Sequence, residues 1–149
     1  MCLKRCYKFD TEQDIVCYKV VCVKLEDYLY TSPFKKSTLW EFGKMKEIKN
    51  LTRKNISLYK EKILQNKYMY RIDGCAYHSF KEIDDAIKFI KKAYFQDNWK
   101  KYAVIECKIP KTSKYIFEGD FETITEAPIR SYASQKLKPI KIAWKYDDW

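Results

Sequence analysis

Glycine, histidine and arginine are the scarce residues of this chain, and each scarcity excludes something. Three glycines in 149 residues leave no glycine-rich loop of the kind that cradles a nucleotide's phosphates. A single histidine cannot complete a two-cysteine, two-histidine metal site. The six cysteines, at positions 2, 6, 17, 22, 75 and 107, include no pair with the two-residue gap of a zinc knuckle. Only Arg5, Arg53, Arg71 and Arg130 among the 30 basic residues are arginines, the side chain suited to forked contact with phosphate or guanine. No apolar run approaches the roughly 20 residues that span a bilayer. The opening MCLKRCYKF interleaves charge with too short an apolar stretch for a signal peptide, and Met-Cys does not begin a myristoylation signal. The expectation is a cytoplasmic protein with reduced cysteines, no membrane association, no metal and no cofactor.

What is present is lysine and aromatic surface. A net charge of +10 points to an anionic partner, and 46% hydrophobic with 17% aromatic residues suffices for a core built from one domain, residues 1–149. The lysine excess is also what an AT-rich coding sequence yields.

Residues 68–110 organise the rest. Ile83, Ala86, Ile87, Ile90 and Tyr94 recur at three- and four-residue steps, while Lys81, Glu82, Asp84, Asp85, Lys88, Lys91 and Lys92 fill the other faces. This periodicity predicts a principal helix over about 81–95, with Ser79 and Glu82 spaced as a capping box. Residues 14–24, DIVCYKVVCVK, are apolar at both alternations and read as a central strand covered on two sides. Residues 103–109 alternate as a half-buried strand. Pro110 closes it, and PKTSK follows as a turn. Asp73-Gly74 reads as a turn between two strand pieces, 68–72 and 75–80, pairing antiparallel if the turn is a hairpin and forming one bent strand if it is a bulge. Leu39, Trp40, Phe42 and Gly43 read as a short aromatic strand, and Ile56, Tyr59, Ile63 and Leu64 as one side of a shorter helix over about 55–65. Residues 1–13 read as a surface lead-in, and residues 137–144 as an edge strand protected by charge. The fold class expected is therefore α+β: a mixed, mainly antiparallel sheet packed by one principal helix and a shorter one.

A set of blocks in fixed order carries a resemblance. They are MCL, DIVCYKVV, SPF, WEFGK, GCAYHSF before a helix containing Ala86, VIECKIPKTSKYIFEG, and SYASQKLKPIKI. Together they resemble a group of small uncharacterised proteins from phages and mobile elements of gut bacteria, over most of the chain. In that group the GCAYHSF block often runs directly from glycine to an aromatic, His, Ser and Phe. Here Cys75 and Ala76 intervene. The resemblance implies an accessory protein acting inside a bacterial cell, where small binders that counter host immunity are frequent. A fainter similarity is to ADP-ribosyltransferase-like folds, which implies Arg71 or His78 on an early strand, with Ser131, Tyr132 and Ser134 after the helix. The late glutamate of that family has Glu118, Glu122 and Glu126 as candidates, none in a recognisable motif.

Candidate site residues follow from side-chain chemistry. His78 is the only imidazole, able to serve as acid, base or ligand contact, although a structural hydrogen bond explains it equally. Arg130, Ser131, Tyr132 and Ser134 combine a fork, an aromatic plate and two hydroxyls, the parts of a nucleotide pocket. Lys111 with Thr112, Ser113 and Lys114 offers ammonium and hydroxyl groups to a phosphate without a P-loop frame. Trp40, Phe42, Phe89, Phe95, Tyr115 and Phe117 are expected in the core rather than stacked on bases. The candidate ligand-binding set is His78, Arg71, Arg130, Ser131, Tyr132, Ser134 and Lys111, with no catalytic residue assigned. The leading expectation is a non-catalytic binder of an anionic, nucleotide-like small molecule that counters host immune signalling. The alternatives are a module that binds nucleic acid or a host defence protein, and an ADP-ribosyltransferase-like enzyme.

Overall fold

A computed structural model of the chain describes residues 2–8, 10–24, 29–31, 39–49, 59–64, 67–73, 76–92, 101–121 and 129–145. Its strands are β1 (Cys2–Lys8), β2 (Ile15–Lys24), β3 (Leu29–Thr31), β4 (Lys46–Glu47), β5 (Tyr59–Leu64), β6 (Lys67–Asp73) and β7 (Tyr77–Phe80), followed by helix α1 (Ile83–Lys92). After the helix come β8 (Tyr102–Ile109), β9 (Ile116–Phe121), β10 (Ile129–Ser134) and β11 (Lys136–Trp144). The sheet runs β4-β11-β8-β2-β7-β10-β9-β1-β6-β5, with β3 added to β2. Among the described residues every ladder is antiparallel, so the fold is sheet-dominated rather than an even mixture of helix and strand.

β2 forms because its branched residues serve two cores. Cys17, Val21 and Val23 fill one cluster and Val20 the other, while β8 pairs with it without a break from Ile15↔Ile109 to Cys22↔Tyr102. Helix α1 buries Ala86, Phe89 and Ile90 against Val20, Phe80, Val104, Phe117 and Phe121, and leaves Asp84, Lys88 and Lys91 to solvent. Complete burial of a side chain such as Ile90 stabilises by roughly 1.5–3 kcal/mol, which is what holds a ten-residue helix too short to persist alone.

The second core lies inside a curl. β10 and β11 are four strand positions apart in the sheet order, roughly 19 Å if the sheet were flat. Gln135 alone joins them, a backbone reach of about 7 Å from Ser134 to Lys136. The sheet must therefore roll until the end of β10 meets the start of β11, and two further contacts fix the closure. The Gln135 N–H donates to the Tyr115 carbonyl at 3.0 Å, and the Ile48 N–H donates to the Gln135 carbonyl at 3.0 Å. Strands β2, β8, β11, β10 and β7 thus enclose Cys17, Val21, Ile105, Cys107, Ile109, Tyr132 and Leu137, and Trp40 joins this core from the 39–45 segment.

Several expectations are corrected. Residues 59–64 are strand β5 hydrogen-bonded to β6, not part of a helix, because Tyr59, Glu61 and their neighbours find partners in β6 that a short isolated helix would lack. β6 and β7 do not pair with each other: β10, β9 and β1 lie between them, so Asp73-Gly74 is no hairpin. The lead-in is β1, held between β9 and β6. Leu39 makes only an isolated bridge, and Gly43, at φ 80°, turns the chain where an aromatic strand was expected. Ser79 lies in β7 opposite Tyr132 and is fully buried, so it does not cap the helix. Phe42 is 40% exposed rather than core. Tyr94 and Phe95 lie outside the described residues, as does the rest of the predicted helix beyond Lys92.

Candidate functional site

The β7–β10 pair sets the geometry of most candidate residues. Its register places His78 opposite Ala133, Ser79 opposite Tyr132 and Phe80 opposite Ser131. Because side chains alternate, His78 and Ser131 share the helix-covered face, whereas Tyr132, Arg130 and Ser134 take the opposite one. The histidine and the Arg-Tyr patch are backbone neighbours whose side chains point to different sides of the sheet.

His78 sits among rings. Its imidazole is 5.0 Å from Phe80 in an edge contact and 5.0 Å from Phe121, and its Nε2 is buried without a hydrogen-bond partner. Burial, reinforced by the Lys19 ammonium, pushes its pKa well below the usual imidazole value. The ring is neutral at physiological pH, and packing against phenylalanines fills its surroundings.

Arg130 is already engaged. Its guanidinium donates to Asp120 at 3.1 Å and to Glu118 at 3.4 Å, and Lys81 donates to the same Glu118 oxygen at 3.0 Å. Burial pulls the Arg130 pKa down and the two carboxylates more than offset it, leaving it above its ordinary value. Two cations and two carboxylates here neutralise one another. Ser131 is fully buried with its hydroxyl donating to the Ile129 carbonyl at 3.2 Å, and Ser134 donates to the Lys136 carbonyl at 2.9 Å, so both hydroxyls serve the local backbone. Tyr132 is buried in the roll. Arg71 lies in β6, paired with Tyr59 and four strand positions from β7 in the order.

Two features escaped the sequence reading. Lys19 is 6% exposed, donates to the His78 carbonyl at 2.8 Å and lies 4.9 Å from the centre of the Trp40 ring, which also contacts Tyr77 edge-on at 5.2 Å. A cation held by a carbonyl and an indole face tolerates burial that water would otherwise oppose. Beside it, burial raises the Cys17 thiol to about 12, although the nearby Ser79 hydroxyl lowers it without forming a well-aligned hydrogen bond. The thiol donates to the carbonyl of Cys107, the residue directly opposite in the ladder, and burial also raises the Cys107 thiol. Both are held as buried, protonated thiols, as small core residues are. The clue to Lys19 was its place at the centre of an apolar strand, where a lysine is unexpected.

The second missed feature is on the outside. Lys138 of β11 stands directly opposite Lys108 of β8, and both side chains are exposed. Lys136 lies on the same alternation as Lys138 and donates to the Thr112 hydroxyl at 3.4 Å, which brings the 111–114 turn alongside. Lys111 is exposed, with its backbone N–H donating to Asp14 at 2.9 Å, and Lys114 lies 5.4 Å from the centre of the Tyr115 ring. Among the described residues, none of Lys108, Lys111, Lys114, Lys136 and Lys138 forms an ion pair. Directly opposed like charges cost a few tenths to about 1 kcal/mol in a sheet, so this pairing works slightly against stability.

Among the described residues no group of three or more His, Cys, Asp or Glu is placed to hold a metal ion, and no helix is long and apolar enough to cross a membrane. No protein-family model matches the chain, and neither a curated protein nor a solved structure emerges as similar to it.

Proposed function

We propose that this protein is a non-catalytic binder of phosphate-bearing, nucleotide-type anions, and that its contact surface is the lysine face of β8, β11 and the 111–114 turn. The observation that carries the reading is the Lys108–Lys138 pair, two exposed ammonium groups opposed across a ladder with no carboxylate between them. An anion bridging them removes the repulsion and replaces released counterions. Of the residues singled out in the sequence, Lys111 belongs to this face, while Arg130 keeps its carboxylates and His78 its aromatic packing. The setting, an accessory protein of a phage or mobile element that counters host defence, rests on the resemblance of the sequence blocks.

Isothermal titration with nucleoside di- and triphosphates, cyclic nucleotides, ADP-ribose and short oligonucleotides tests the reading. Heat at 50 mM salt that shrinks at 200 mM, and vanishes in a Lys108→Gln/Lys138→Gln variant, supports it. Silence across the whole panel removes it.

The alternative of a module docking onto a host defence protein draws on Leu39, Phe42 and Met45, which are 37%, 40% and 48% exposed along one loop beside β11. Loss of a counter-defence phenotype in Leu39→Ser/Phe42→Ser, with the lysines intact, separates it from the first reading. The ADP-ribosyltransferase-like alternative gains little support, since His78 is buried among phenylalanine rings with its Nε2 enclosed and Arg71 lies several strands away.

A further inference from the structure

The lysine face has an aromatic border, and its arrangement follows from the ladder registers. On the outer alternation, Val16 of β2 lies opposite Lys108 of β8, which lies opposite Lys138 of β11. The next row on the same face is Tyr18, Glu106 and Lys141, again in direct register. Diagonal neighbours on one sheet face are about 7–8 Å apart, within reach of a tyrosine ring and a lysine side chain. Tyr18 therefore borders the Lys108–Lys138 row.

Helix α1 does not roof this corner. Val16 is 44% exposed and Tyr18 half-buried, one side of the latter packed against the cluster that the helix covers. Acid lies at the margins of the patch: Glu106 is opposite Tyr18 and Lys141, Glu47 of β4 is opposite Lys136, the Asp14 carboxylate accepts from the Lys111 N–H, and Glu82 is near enough to Tyr18 to raise the phenol's pKa, behind burial and Glu106 in effect. The Val16–Lys108–Lys138 row itself contains none. A positively charged track beside a half-exposed aromatic plate and an exposed aliphatic residue is the combination that holds a polynucleotide by its backbone and stacks an unpaired base. A duplex presents the same phosphates and keeps its bases away from the plate.

Resting on the anion-binding reading above, we infer that the ligand of this face is a single-stranded polynucleotide, with its phosphates along Lys108, Lys138, Lys136 and Lys111 and a base stacked on Tyr18. Any preference among bases is weak, since every base offers a π-face and the patch holds no forked donor for a base edge.

Fluorescence anisotropy decides this with four labelled probes: a twelve-nucleotide DNA strand, the same sequence in RNA, the DNA duplex, and an abasic twelve-mer that keeps the phosphates. The wild-type protein should bind both single strands at least fivefold more tightly than the abasic strand. Tyr18→Leu, which keeps apolar bulk against the core, should lose about 5- to 150-fold on the single strands, the range a stacked base is worth, and approach the abasic affinity. Tyr18→Phe should restore the single-strand preference. If the abasic strand and the duplex bind as well as the single strands, stacking is refuted while the lysine reading survives. If Lys108→Gln/Lys138→Gln leaves single-strand affinity unchanged, or if nothing binds at 50 mM salt, both readings fall. Should Tyr18→Leu not fold by its thermal melt, the comparison of abasic and intact strands on the wild-type protein remains decisive.

Discussion

The β9–β10 seam and the β8–β11 seam carry similar cationic side chains and treat them in opposite ways. At the first, Arg130 and Lys81 close on Glu118 and Asp120, and the charges cancel within the protein. At the second, Lys108 and Lys138 face each other across a ladder with no acid between them. Residue type alone favoured the first, because an arginine beside serines and a tyrosine looks like a nucleotide pocket. The difference teaches that suitability and availability are separate properties of a cation: a guanidinium held by two carboxylates must break those contacts before it can hold a phosphate.

The largest effect that sharpens the contrast lies beneath the first seam. Phe121 packs on His78, Phe80 and Phe89 with ring separations of 5.0, 5.9 and 5.3 Å. Phe121→Ala should cost about 3–5 kcal/mol by chemical denaturation, yet leave anion affinity unchanged wherever the variant is folded. A loss of affinity in the folded variant would mean that the two seams are coupled. Charge reversal at the second seam, Lys108→Glu/Lys138→Glu, should do the converse. Stability should hold within about 1 kcal/mol, while oligonucleotide affinity should fall about a hundredfold, or about 2.7 kcal/mol, and the salt dependence should flatten by roughly one to two released counterions.

How far the sequence alone could lead is visible in particular residues. β2, β8 and the helix centre were legible because Val20, Val21, Ile105 and Ile90 obey simple periods and are buried as those periods require. The closure of the roll was not, since it depends on Gln135 joining strands that only long-range pairing makes distant in the sheet order. Residues 59–64 show the same limit: their apolar spacing fits a helical side as well as it fits a strand, and pairing with β6 decides between them. For the candidate site, Lys111 was reachable from its turn chemistry. The Lys108–Lys138 pair was hidden because its members are 30 residues apart in sequence and meet only through the β8–β11 register.

His78 gives the contrast a pH axis. Its folded pKa lies well below the ordinary 6.5, so below that value the unfolded chain binds a proton that the folded chain refuses. Stability should therefore fall as pH drops from about 6.5 toward the folded pKa, by up to about 1.4 kcal/mol per pH unit, and level off beneath it. His78→Leu should remove this dependence, and it should leave stability at pH 7 little changed, since the buried Nε2 has no hydrogen bond to lose. Melting curves from pH 7.5 to 4.5 check this: an equally steep decline in His78→Leu would assign the acid sensitivity to other groups.

Arg130→Ala is the smallest expected change and the one that discriminates best between the seams. The side chains of Arg130, Glu118 and Asp120 are 43%, 24% and 20% exposed, so solvent screens both pairs, and Glu118 keeps Lys81 when the guanidinium is removed. The stability loss should stay below about 1 kcal/mol and shrink further at high salt. Oligonucleotide affinity should remain within twofold of wild type, because a cation already neutralised contributes little to an external anion. A tenfold loss would return the binding site to the arginine and make Lys108 and Lys138 bystanders, which is the outcome that residue chemistry without geometry would have favoured.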